Sequence, residues 1–159
     1  MRHCLDTWSL DREIVLTKVL DHHRNKVFAA WINPQALAEW YGPAGFAVVN
    51  HEADIREGGV WQFDMVGMFE GREQRFSTLV RFLEIVPSER IVMDYGTPDP
   101  ADPDRFRMTV TFDEQSDGKT VLTLRQLHPS IERRQTVIGF GAVEYGLQTL
   151  DGLALWMNQ

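Results

Sequence analysis

Residues 12–20 read Arg-Glu-Ile-Val-Leu-Thr-Lys-Val-Leu, with Ile14, Leu16 and Leu20 on one face and Val15, Thr17 and Val19 on the other. A β-rich run of that alternation predicts a first, mostly buried strand. Residues 27–31 and 37–41 instead carry apolar side chains at helical spacing, and Asn33-Pro34 between them is a helix-start signal with proline in the first turn. Two short helices are expected there. After the Gly42-Pro43 break, Val49, Ala53 and Ile55 alternate with Asn50, Glu52 and Asp54 over a strand at 46–55. Glu57-Gly58-Gly59 then turns the chain into a hairpin, where Trp61, Phe63 and Met65 alternate with Gln62, Asp64 and Val66. Residues 75–86 form another long strand, stopped by Pro87-Ser88 and answered by a shorter one at 91–95. A loop with prolines at 98, 100 and 103 precedes a last hairpin, 106–113 and 120–126, around Ser116-Asp117-Gly118.

Beyond Pro129 the period changes. Phe140, Val143, Leu147, Leu150, Ala154 and Met157 recur every three or four residues, which predicts one apolar stripe on one long helix, with Ser130 as a cap where the helical segment starts. The order is strand, two helices, six strands and a long helix. This implies an α+β protein with a seven-stranded antiparallel sheet, whose apolar face the terminal helix must cover. No repeat, linker or low-complexity tract interrupts it, so a single domain over 11–158 is expected, with 1–10 as an N-terminal extension.

Composition narrows the function classes. The 159 residues are 43% hydrophobic, enough for a real core, and carry a formal charge of −7, the wrong sign for a generic phosphate-binding surface. Nucleic acid is not expected as a partner. Cys4 is the only cysteine, which excludes a disulfide framework and fits a reducing cytoplasm. No apolar run reaches the roughly 18 residues of a membrane span, so no membrane association is expected.

Enzyme signatures are sparse. Gly118-Lys119-Thr120 resembles the tail of a phosphate loop, but Asp113 stands where its first glycine belongs. His22-His23 reads as a solvated turn, and Asp99, Asp102 and Asp104 as a solvated loop, so neither a metal nor another cofactor is expected. His51 falls in phase with Val49, Ala53 and Ile55, where an imidazole either finds a partner in the core or projects into a pocket. Glu84 shares a strand face with Val80, Phe82 and Val86 and is expected to pair with Arg90 across the Pro87-Ser88 turn. Rings are abundant: Trp31, Trp40, Tyr41, Phe46, Trp61, Phe63, Phe82, Tyr95, Phe112 and Trp156 form either a solid aromatic core or the walls of a hollow.

Six segments in order, Arg12-Glu13-Ile14-Val15-Leu16-Thr17, Val27-Phe28-Ala29-Ala30-Trp31, Trp40-Tyr41-Gly42-Pro43, Asp54-Ile55-Arg56-Glu57-Gly58-Gly59, Glu84-Ile85-Val86-Pro87-Ser88-Glu89-Arg90-Ile91 and Gln148-Thr149-Leu150-Asp151, resemble one group. It is the activator of Hsp90 ATPase homologue-like branch of the START-like (SRPBCC) superfamily, relatives of the birch-pollen allergen. The resemblance implies a helix-grip fold, in which the sheet wraps around the last helix and two small helices plug one end. It also implies a hydrophobic cavity between sheet and helix. Three departures stand out: His22-His23 where Ala-Pro is usual, Gly152 in place of a long polar residue, and Glu144-Tyr145-Gly146 in place of Glu-Gly-Trp. The last leaves room at Gly146 where a tryptophan would have filled the interior.

The expected function is therefore binding of a small apolar or aromatic ligand, with Trp61, Phe63, Met65, Phe82, Met108, Val110 and Leu147 as lining and His51 as a polar handle. A cavity enzyme using His51 with Glu84 or Asp94 as acid and base is the first alternative. A co-chaperone or stress-response interaction is the second. Exposed sheet edges and a glycine-rich helix start would suit a homodimer.

Overall fold

The computed structural model describes residues 10–159; Cys4 lies outside them. After a helical turn at Leu10–Arg12 come β1 (Glu13–Leu20), α1 (Arg24–Ile32), α2 (Pro34–Trp40), β2 (Phe46–Ala53), β3 (Val60–Phe69), β4 (Arg72–Val86), β5 (Arg90–Gly96), β6 (Phe106–Glu114), β7 (Thr120–Leu127), α3 (Ile131–Gly139) and α4 (Ala142–Met157). The strands form one antiparallel sheet in the order β1-β7-β6-β5-β4-β3-β2, so β1 closes on β7 and the rest meander. The sheet wraps around α4, as the alternation of its strands requires. No helix among the described residues is long and apolar enough to cross a membrane.

Local chemistry accounts for the helices. The Asn33 side chain accepts hydrogen bonds from the backbone N–H of Gln35 and Ala36, and Pro34 occupies the first position of α2, where no N–H is needed. Ser130 caps α3 by accepting from the N–H of Arg133 at 3.0 Å. The single long helix expected after Pro129 is instead two. Gly141 has a φ of +97°, outside the helical region, and it ends one helix and starts the next at Phe140-Gly141. The expected stripe is also rotated. Leu150 and Leu153 are buried, whereas Phe140 and Leu147 are exposed.

Two β-bulges shift the phase of the sheet. In β2 the register with β3 moves between Asn50 and Glu52, leaving His51 unpaired. Val48 and Asn50 therefore face inward before the bulge and Ala53 after it, while Val49 and His51 face out. The inward Asn50 accepts a hydrogen bond from Trp61 Nε1 at 2.8 Å and donates to the Pro34 carbonyl at 3.1 Å, tying β2 and β3 to α2. A second shift, between Phe82 and Glu84, leaves Glu84 beside Arg90, paired at 2.6 Å as expected.

One end of the space between sheet and helices is packed solid. Phe28 of α1 meets Phe112 of β6 edge-on at 5.6 Å, and Trp31, Trp40, Tyr41, Trp61 and Phe63 form a continuous run of ring contacts. Leu20, Ile91, Val110, Leu122, Leu150 and Leu153 complete this core. α4 rests on β1 and α2, and it comes close to β1 at Gly146, where a Cβ would stand 2.4 Å from Leu16 Cδ1. Gly146 is thus a contact point between helix and sheet.

Gly146→Ala should destabilise the protein by about 1 kcal/mol, since overpacking against the buried Leu16 outweighs the gain in helix propensity. Gly139→Ala, whose Cβ meets nothing within 4 Å, should be neutral or stabilising by a few tenths. Urea unfolding of the two variants checks the difference in sign.

Candidate ligand-binding cavity

At the other end the rings line a space instead of filling it. The chain encloses a cavity of about 520 Å³ there, open to solvent on one side. Every element around it contributes through its inward phase. Met65 and Phe69 come from β3, Phe76 from β4, Tyr95 from β5, Phe106 and Met108 from β6, and Leu124 and Gln126 from β7, with His128 just beyond that strand. The roof is Val137 of α3, the connecting Phe140, and Ala142, Tyr145, Gly146 and Thr149 of α4; Tyr41, Gly42, Pro43 and Phe46 close one flank. Phe140, Phe76 and Tyr145 are also exposed, which places them at the mouth.

Tyr95, Phe106 and His128 make a row of rings across three neighbouring segments. Tyr95 stacks on Phe106 at 5.1 Å, and Phe106 lies 4.7 Å from the His128 ring. The row follows from register, because Tyr95 pairs with Phe106 and the next pair, Arg107 with Leu127, brings His128 alongside.

Among the described residues, no Asp, Glu, Lys or Arg lines the cavity. The polar groups are few and neutral. His128 is 1% exposed, and burial, followed by the positive charges of Arg133 and Arg134, pushes its pKa down to about 4. Its Nε2 pairs with Gln126 Oε1 at 3.1 Å, while Nδ1 has no protein partner. The hydroxyls of Tyr41 and Tyr95 meet at 3.1 Å. Burial raises both phenols, Tyr95 to about 12, so both remain protonated. Thr149 satisfies its hydroxyl on the Tyr145 carbonyl at 2.9 Å.

Of the eight residues expected to line a cavity, Met65 and Met108 do so. Trp61, Phe63, Phe82 and Val110 have the correct face but the wrong end, and they are buried in the solid core. Leu147 is 41% exposed on the outer side of α4, one position around the helix from Gly146. His51 sits on the outer face because of the β2 bulge. There its Nε2 lies 2.8 Å from Asp64 Oδ2, which Arg75 also contacts at 2.6 Å, and these partners hold the Asp64 carboxyl at about 2. Glu84 is engaged with Arg90 and Asp94 with Arg105, so none of the three candidate acid–base residues lines the cavity. His23 pairs with Glu114 and His22 with Asn158, in keeping with a solvated turn. Sequence reasoning missed His128 and Gln126. Both continue the inward alternation of Leu122 and Leu124, and the expected strand ended at 126.

The family model described as Activator of Hsp90 ATPase homolog 1-like protein matches residues 21–156, and the chain belongs to that family. A crystal structure of a protein from Nitrosomonas europaea is similar with a TM-score of 0.81 at 22% identity, over 96% of this chain and 97% of the other. One from Mycobacterium smegmatis has a TM-score of 0.81 at 18% identity, over 99% and 95%. A third, from Chromobacterium violaceum, is 28% identical with a TM-score of 0.71, over 92% and 96%. No curated protein matches the sequence.

The buried neutral His128 gives a pH signature. Its folded pKa of about 4 lies below its ordinary 6.5, so between these values the unfolded chain binds the proton that the folded chain refuses. Stability should fall by roughly 2–3 kcal/mol as pH drops from 6.5 to 4, and His128→Phe should flatten that slope. Asp64, lowered from 3.8 to about 2, loses its contribution only below this window. Denaturant melts at stepped pH measure both effects.

Proposed function

We propose that the protein binds one small, uncharged, apolar molecule in the cavity beneath α4. The observation that carries the reading is the lining: a hollow of about 520 Å³ with no charged side chain from the described residues, walled by rings, thioethers and aliphatic groups. That volume lies within the roughly 300–1,000 Å³ typical of small-molecule sites. An ionised ligand would lose its hydration without gaining a counter-charge, which selects against anions and cations alike. Membership of a fold family that generally binds ligands agrees with this. The apolar mouth at Phe76, Phe140 and Tyr145 offers a route in that needs no desolvation of charge.

Nile red, an uncharged fluorescent dye, should bind saturably at one site. Ala142→Trp, which sets a large ring into the roof, should weaken that binding by about tenfold or more, equivalent to about 1.4 kcal/mol. His51→Ala, on the outer face, should leave it unchanged. Absence of saturable binding, or equal sensitivity to both substitutions, would contradict the proposal. Native mass spectrometry of gently purified protein should show a bound molecule in the wild type that Ala142→Trp lacks.

A further inference from the structure

We propose that the ligand is a flat ring system bearing a hydrogen-bond acceptor, a carbonyl above all, which the Tyr41–Tyr95 hydroxyl pair recognises. The inference rests on the cavity reading and deepens it. Two phenol hydroxyls carry two protons, and the 3.1 Å bond between them consumes one. Neither hydroxyl has another partner among the described residues, so one O–H is left without a protein acceptor in the wall of an apolar cavity. An unmatched donor in such a place is costly, and a ligand that supplies the acceptor recovers that cost. Both phenols stay protonated because their pKa values are raised, so the proton is present at every physiological pH.

Gln126 has the same polarity. Its Oε1 is taken by the neutral His128, and its amide N–H groups bond to no other described residue. The free hydrogens of Tyr41, Tyr95 and Gln126 thus outnumber the one acceptor nitrogen left open beside them, His128 Nδ1. The Tyr95–Phe106–His128 row supplies a flat face to stack against, and Met65 and Met108 line the same space with soft, polarisable sulfur. A planar, uncharged carbonyl compound meets the flat face and the hydroxyl donor together; a pure hydrocarbon leaves that proton unmet.

Fluorene and fluorenone share a ring skeleton and differ by the carbonyl, and their dissociation constants can be compared in the wild type and in the Tyr41→Phe/Tyr95→Phe double variant. The ratio of the fluorene constant to the fluorenone constant should be roughly tenfold larger in the wild type, the gain of about one hydrogen bond. The carbonyl stretch of bound fluorenone should lie at lower frequency in the wild type than in the double variant. If both compounds bind with an unchanged ratio and an unshifted stretch, the cavity reading stands and this inference falls. If neither compound binds the wild type, the cavity reading falls and takes the inference with it. Melting curves and circular dichroism establish that the double variant is folded; should it not fold, the carbonyl stretch of fluorenone in the wild type against fluorenone in hexane decides alone.

Discussion

How close α4 can come to the sheet sets the shape of the whole interior. In its second turn the helix touches β1 through Gly146 and Leu16, a contact that a side chain at position 146 would obstruct. C-terminal to that point, Leu150 and Leu153 press into a core already filled by Phe82, Val110 and Leu122. N-terminal to it, the chain leaves helical geometry at Gly141, and α3 takes a separate course. The roof over that half is then made of two helices and the turn between them, and the strands beneath do not reach it. A close-packed interior tolerates few voids larger than a water molecule, so a hollow of about 520 Å³ is a local departure from close packing.

Most of the fold was legible because period-two alternation and turn chemistry are local signals. Asn33-Pro34, Ser116-Asp117-Gly118 and the run from Thr120 all appear where they were expected. Failures came where one residue changes the count. An extra residue at His51 inverted the inward phase of β2, so Val49 and His51 were placed inside although Val48 and Asn50 face in. One glycine with positive φ divided the helical segment whose apolar spacing looked continuous. Neither a bulge nor an αL glycine leaves a periodic trace; each appears only as a break in one.

The cavity was harder to read for a different reason. Alternation tells which face of a strand points inward but not how far along the strand the filled region ends. Trp61 and Met65 share a face of β3, yet one is buried in the aromatic plug and the other borders the hollow. That boundary is set by where α1 and α2 sit, through contacts such as Phe28 with Phe112. The Tyr41–Tyr95 pair joins positions 54 residues apart, and no spacing rule connects them. His128 was within reach, since it extends an alternation already recognised in β7.

The account therefore depends on the hollow being a lasting feature and not a space into which Phe140 and Tyr145 fold. Xenon binds dry apolar cavities without needing any particular hydrogen bond, and so tests the space independently of the ligand. The direct measurement is diffraction from crystals pressurised with xenon. Xenon should occupy the space among Met65, Phe106, Met108 and Leu124; no xenon there, with the Phe140 or Tyr145 ring filling the same volume, would mean that the hollow does not persist.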